Sequence, residues 1–171
     1  QEFDFLAGQF INVFQTGVEL KQGERPQMRS YSISSSPFDK AGFEITVKRK
    51  GSFSIYLESL KISDQVKITG PLGIHFTISE KTTQDVVMIA GGVGVTPFKS
   101  MSAAACAFGK KSWVFYSTKK KEDLVFIDFF EKLAFKNKDN FFFEYTLTQP
   151  PQRWNGRAGR FTIDEINSTV G

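Results

Sequence analysis

Val86-Val87-Met88-Ile89-Ala90-Gly91-Gly92-Val93-Gly94-Val95-Thr96-Pro97 is the stretch that decides the fold. Its apolar run has strand length and no alternation, as expected of a strand buried on both faces of a parallel sheet. The glycines end the strand, and Pro97 suits a first helical turn, where its missing amide costs nothing. A strand running through a glycine turn into a helix aims backbone amides and the positive end of the helix dipole at an anion. Glycine also permits positive φ and close approach of a ligand to the backbone. The spelling G-G-x-G-x-T-P is neither G-x-G-x-x-G nor a P-loop. A phosphate or dinucleotide seat at Gly91, Gly92, Gly94 and Pro97 is therefore predicted, with the Thr96 hydroxyl at its mouth. The alternative is a tight turn that binds nothing.

Downstream, the pattern predicts a strand at Trp113 to Ser117, a helix near Glu122 to Phe135, a strand at Phe141 to Leu147 and a helix over Ile163 to Ser168. Alternation of this kind gives a doubly wound α/β domain with a parallel sheet. Upstream the grammar differs. Short strands at Phe10 to Phe14, Tyr31 to Ser34, Phe43 to Lys48 and Val66 to Thr69, with a helix near Ser54 to Leu60, predict a small antiparallel β-barrel. The polar stretch between Glu80 and Gln84 divides the chain into domains 1–80 and 81–171, with a cleft between them.

Composition narrows the chemistry. The 171 residues are 40% hydrophobic, enough for real cores, and the 19 Phe must mostly be buried. One Cys (Cys106) and one His (His75) exclude an internal disulfide and a four-cysteine metal or iron-sulfur site. The net charge of +4 is spread over scattered lysines, with one run at Lys119 to Lys121 that reads as a solvated loop, so no nucleic-acid partner is expected. No stretch nears the roughly 20 apolar residues of a membrane span, and a cytoplasmic protein, or one at the cytoplasmic face of a membrane within a larger chain, is expected.

In the first half, Arg29-Ser30-Tyr31-Ser32-Ile33-Ser34 sets a cation, an aromatic ring and hydroxyls on one strand. Alternation sends Arg29 and Tyr31 to one face, Ser30 and Ser32 to the other. Arginine grips phosphate with two donors, and tyrosine offers a flat face to a ring system. Lys48-Arg49-Lys50-Gly51-Ser52-Phe53-Ser54 repeats the anion logic, with a glycine turn opening a helix that Ser54 caps or that holds phosphate. Two such seats fit a diphosphate.

In this order the pieces resemble the ferredoxin-NADP reductase superfamily, especially its flavin reductase and oxygenase-reductase branches. The matching motifs are Gly8-Gln9-Phe10, Arg29-x-Tyr31-Ser32, Lys48-x-x-Gly51-x-x-Ser54, Gly70-Pro71-x-Gly73 and Gly91-Gly92-x-Gly94-x-Thr96-Pro97. Phe115-Tyr116-Ser117, Glu122-Asp123 and Trp154-x-Gly156-x-x-Gly159-Arg160 continue the match. The resemblance implies that Arg29 holds the flavin phosphate, that Tyr31 packs on the isoalloxazine and that Ser32 bonds the ring nitrogen that accepts hydride. It extends the flavin site to Ile33, Ser34, Val47, Lys48 and the residues Gly51, Ser52, Phe53 and Ser54. The Gly91 to Pro97 loop would take NAD(P)H, with Thr96 near the nicotinamide, and Ser117 would meet the adenosine end. Ser32 and Thr96 stand as the residues closest to the chemistry.

The implied activity is hydride transfer from NADH or NADPH to FAD, favoured over FMN, and onward transfer to an unidentified acceptor. Because no arginine-rich pattern follows Ser117, the reading leans to NADH. Family members begin with another barrel strand and end with a further parallel strand, so truncation at both ends is expected. Two other readings stay open: an electron-transfer module serving an iron-sulfur, haem or membrane partner, and a non-catalytic flavin- or nucleotide-binding module.

Overall fold

The computed structural model describes residues 3–17, 19 and 21–171. Three antiparallel strands, β1 (Phe10–Phe14), β2 (Met28–Ser32) and β3 (Lys67–Leu72), form the first sheet in the order β2-β1-β3. β1 is central because its alternation is cleanest: Ile11 and Val13 point into the core, while the residues between them stay partly exposed. Helix α1 (Ser52–Ser59) closes this core through Phe53, which packs with Phe5, Ile11, Val13 and Ile33.

The expected strand at Phe43 to Lys48 does not join the sheet as a ladder. It is tied on by a single bridge, Ile33 to Ile45, and by the Ser34 amide donating to the Glu44 carbonyl at 2.8 Å. The barrel is therefore open along this segment. Alternation gave the residues an extended backbone; only a neighbouring strand supplies a ladder.

The second sheet is parallel, with β4 (Val86–Gly91), β5 (Ser112–Thr118) and β6 (Phe141–Leu147) in the order β4-β5-β6. Helices α2 (Thr96–Ala107) and α3 (Ile127–Lys136) cover one face, packing Met101, Ala104, Ala105 and Phe130 on Met88, Ala90, Val114, Tyr116 and Phe141. Helix α4 (Ile163–Val170) covers the other, with Ile166 against Trp113 and Phe115. β5, sandwiched between strands and between helix layers, is buried almost throughout. β4 is an edge, and on the α4 side its Val87 and Ile89 remain 41% and 55% exposed.

Helix α2 begins at Thr96 with Pro97 in its first turn, as the pattern suggested, after a 3-10 turn over Gly92–Val95; α3 starts later than expected, after another 3-10 turn over Lys121–Asp123. Phe126, with φ of 63°, breaks the chain in between by adopting a left-handed conformation. The halves meet where Ala7 and Ile78 of the first, bridged to each other, pack into the larger core with α2 of the second. Among the described residues no helix is long and apolar enough to cross a membrane.

Candidate functional site

Alternation along β2 survives folding. Arg29 and Tyr31 share the face of Val13 and Ile11, their register partners, and both reach Phe53. The Tyr31 ring stacks on it at 6.3 Å between centroids, and the Arg29 guanidinium lies 5.8 Å from its centre. Arg29 is exposed and its Nη1 donates to its neighbour's carbonyl, that of Met28, at 2.7 Å. Partial burial pushes the Tyr31 phenol above its ordinary pKa, with the nearby Arg29 cation pulling the other way. Ser30 lies on the opposite face, donating to Asn12 Oδ1 at 2.7 Å, and Ser32 follows it there.

Phe53 is the second residue of α1, so Arg29 meets the start of that helix. Gly51 opens the helix with φ of 118°, and a side chain added there would meet nothing within 4 Å. No side chain caps the helix. Ser54, expected to cap it or bind phosphate, spends its hydroxyl locally: Oγ donates to the Gly51 carbonyl and accepts from the Lys50 amide, each at 2.8 Å. The first-turn amides of Ser52, Phe53 and Ser54 thus face an open approach beside a cation, an arrangement that fits a phosphate group.

Ile33 and Ser34 take no such position. Ile33 is fully buried in the first core, and Ser34 Oγ lies 3.0 Å from Thr46 Oγ1 and donates to the Glu44 carbonyl at 3.3 Å. Their side chains hold the 43–48 segment.

The glycine loop opens onto a cavity of about 550 Å³ at the carboxyl ends of the parallel strands. Ile89, Ala90 and Gly91 line it from β4 and Gly92 from the 3-10 turn, Ser117 and Thr118 from β5 with Lys119 just past it, and Thr148 from just beyond β6; Arg160, Phe161, Lys48 and Asp123 complete the wall. Neither Gly91 nor Gly92 would bring an added Cβ within 4 Å of another atom, so the backbone there is approachable. Gly94 and Pro97 lie beyond the cavity wall, in the 3-10 turn and the start of α2. Thr96 corrects an expectation: it is 7% exposed and its Oγ1 donates back to the Val93 carbonyl at 3.0 Å, so its hydroxyl braces the turn instead of standing at the mouth. The 3-10 turn causes this, because it places Thr96 one turn after Val93.

Lys48 and Val47 carry the first half to this cleft. Val47 meets Val93, Asp123 and Val125 around a smaller cavity of about 130 Å³ between the halves. Lys48 Nζ pairs with Asp123 Oδ1 at 2.5 Å, and Lys99 Nζ with Glu44 Oε2 at 2.6 Å, so two ion pairs span the junction. The hydrogen bond from Lys48, then the charges of Lys48, Lys120 and Lys119, hold the Asp123 carboxyl below its ordinary pKa.

Residues 1–77 match the oxidoreductase FAD-binding domain, and residues 88–169 the oxidoreductase NAD-binding domain. The chain belongs to the ferredoxin-NADP reductase superfamily. Within that superfamily it is 33% identical over 161 residues to ferredoxin--NADP reductase B of Sorangium cellulosum, covering 92% of this chain and 63% of that protein. It is 31% identical over 158 residues to NADH-cytochrome b5 reductase 1 of Mycosarcoma maydis, covering 90% and 48%. The chain thus spans about half to two thirds of the length of these relatives. In fold it resembles the cytochrome b5 reductase domain of Ulva prolifera nitrate reductase, with a TM-score of 0.82 at 22% identity over 98% of this chain and 71% of that one.

Sequence reasoning assigned no role to Asp123, Thr148, Arg160 or Phe161 in the cavity wall. For Arg160 the signal was present in Gly159-Arg160, which the superfamily motif includes. Its convergence with Lys119 is a property of the sheet and is invisible along the chain.

Proposed function

We propose that this chain is the flavin- and nicotinamide-binding core of a reductase that takes a hydride from NAD(P)H onto FAD and passes electrons to an acceptor. The observation that carries the reading is the position of Lys48. It stands three residues before the Gly51 turn of the first anion seat, yet it lines the same cavity as Gly91 and Gly92 of the second. Two seats joined at one cleft suit transfer between stacked rings, which needs near contact and fixed orientation.

The cofactors supply the redox chemistry, hydride donation by one ring and acceptance by the other. The protein binds and orients. Arg29 and the α1 amides of Ser52 to Ser54 hold the diphosphate, which favours FAD over FMN. Tyr31, its phenol neutral at working pH, offers an aromatic face, and Ser32 offers a hydroxyl to the reacting ring nitrogen. Gly91 and Gly92 admit the dinucleotide pyrophosphate, and Thr96 keeps the turn in shape through Val93. Val47, Val93 and Val125 give the small cavity between the halves an apolar lining that disfavours water. Separate sheets, and a core around Phe5, Ile11, Val13, Ile33 and Phe53 that belongs to the first half alone, support a division into domains 1–80 and 81–171. The acceptor is a small redox protein of the ferredoxin or cytochrome b5 kind named for the relatives, and the lone Cys106 suits the reducing cytoplasm.

Absorbance of the purified protein, with added FAD, before and after anaerobic NADH or NADPH, tests this. A retained flavin band that the nicotinamide bleaches supports the reading. A protein that retains no flavin, or a flavin band that neither dinucleotide bleaches, overturns it.

A further inference from the structure

The 43–48 segment touches both halves, and its alternation sorts its side chains between them. Phe43, Ile45 and Val47 turn to the first half, where they line an apolar cavity of about 340 Å³ with Ile11, Val13 and Leu57. Glu44 and Lys48, four positions apart on the extended chain, fall on the other side by the same alternation. Each makes an ion pair with the second half, and the signs are reversed between them. Glu44 takes Lys99 of α2, and Lys48 takes Asp123 of the 3-10 turn before α3.

The Lys99 pair is the better enclosed on its cationic side. The Lys99 side chain is 22% exposed, against 55% for Lys48. Its ammonium lies 5.2 Å from the ring centre of Phe126 and 5.9 Å from that of Phe129, so two aromatic rings hold it as well as a carboxylate. Glu44 is fixed in turn by its backbone: its amide donates to Ser35 Oγ at 2.9 Å, and its carbonyl accepts from the Ser34 amide at 2.8 Å. Ser34 follows Ser32 by two residues, and Lys99 follows Thr96 by three. A short chain of contacts therefore ties the strand of Tyr31 and Ser32 to the helix that opens behind the glycine turn. Neither Lys99 nor Glu44 lies on the wall of the large cavity, so neither is placed to touch a dinucleotide there.

We propose that Lys99 is a positioning residue for hydride transfer: acting through Glu44, it fixes the angle between the two halves and so the approach of nicotinamide to flavin. This role rests on the reductase function proposed above. The pair adds little to stability, because the Glu44 carboxylate remains largely in water. Rate is far more sensitive, since a misplacement of about 1 Å caused far from the chemistry costs on the order of a hundredfold.

The test is anaerobic stopped-flow reduction of the FAD-loaded protein over a range of NADH and of NADPH concentrations, which separates the limiting rate from the dissociation constant. Lys99→Met keeps an apolar stem beside the rings and deletes the charge. It should lower the limiting rate roughly tenfold or more and move the dissociation constant less than about twofold, with a urea midpoint close to the parent's. Glu44→Gln, at an exposed position where folding is not at stake, should give the same split. Lys99→Arg, which keeps a cation beside both rings, should hold the parent's rate. Amide exchange of the nucleotide-free protein supplies a readout apart from turnover: Ser34 and Glu44 should exchange faster in Lys99→Met. The positioning role is overturned by a limiting rate that Lys99→Met leaves unchanged, by a loss that Glu44→Gln fails to share or Lys99→Arg does share, or by exchange at Ser34 and Glu44 that does not move. In each of those cases bleaching of the parent leaves the reductase reading standing. A parent protein that neither dinucleotide bleaches ends the reductase reading and this inference together.

Discussion

Lys48 Nζ lies 2.5 Å from Asp123 Oδ1, so the ion pair that joins the FAD-binding half to the NAD-binding half sits on the wall of the cavity at the carboxyl ends of the parallel strands. A phosphate entering there would compete with Asp123 for the same ammonium, so that closure of the junction and binding of ligand would be opposed at one atom.

Replacing the carboxylate should release Lys48 to the ligand. Asp123→Asn is expected to lower the dissociation constant for the dinucleotide roughly two- to fivefold, the scale of a solvent-screened ion pair. Lys48→Ala should raise it. Titration of both variants at two salt concentrations checks the pair; Asp123→Asn binding more weakly than the parent would contradict the competition.

Gly8 is a backbone requirement. It has φ of 98°, and a Cβ there would lie 2.0 Å from the Phe76 carbonyl oxygen. The neighbouring bonds, Ala7 to Ile78 and Gln9 Nε2 donating to the Gly73 carbonyl at 2.9 Å, fix both strands at the collision and leave nowhere to move. Gly8→Ala should destabilise the protein by about 2–4 kcal/mol, read as a lower urea midpoint with an unchanged slope.

Tyr116 supports the loop that carries Asp123. Its ring is fully buried, and its hydroxyl donates to the Asp123 carbonyl at 3.2 Å and accepts from the Val125 amide at 3.4 Å. Burial, ahead of the opposing Val125 bond, raises its pKa, so the donor proton is retained at any working pH. Tyr116→Phe should cost about 1–2 kcal/mol in urea unfolding by stranding those two backbone groups.

Much of this architecture was legible in the residues, for reasons that differ by element. Val86 to Ala90 declared itself as a strand by its unbroken apolar run, but the expected burial on both faces fails: β4 is an edge, so Met88 and Ala90 are buried while Val87 and Ile89 stay exposed; β1 matched its predicted bounds because one face is wet and the other dry. What stayed hidden depended on partners far along the chain. The 43–48 segment looks like a strand in isolation, but a ladder needs a neighbour on both counts of donor and acceptor. Ser54 reads equally as a cap or a phosphate ligand, and only folding shows its hydroxyl spent on Lys50 and Gly51. The Lys119 and Arg160 corner exists because β6 brings two loops together, which no local pattern encodes.

Helix α4 begins in a reciprocal cap whose strength depends on pH. The Thr162 amide and hydroxyl both donate to Glu165 Oε2, at 2.7 and 2.9 Å, and Arg157 forms an ion pair with the other carboxylate oxygen. The Thr162 amide bond first, then the Arg157 and Thr162 side-chain bonds, hold the Glu165 carboxyl at a pKa of about 2, down from 4.5. A group whose folded pKa is depressed contributes stability that is present above its unfolded value and lost as the pH falls through the folded one. The stabilisation by Glu165 is therefore complete above about pH 4.5 and fades toward pH 2. Glu165→Gln removes the ionisable group, so its melting temperature should lie below the parent's at pH 7, and the two should converge as the pH approaches 2. Because Ile166, the next residue, seals Trp113 and Phe115, the neutral-pH difference should also appear as faster amide exchange along α4. A gap in melting temperature that stays constant from pH 7 to pH 2 would mean that the carboxylate's charge plays no part in holding α4.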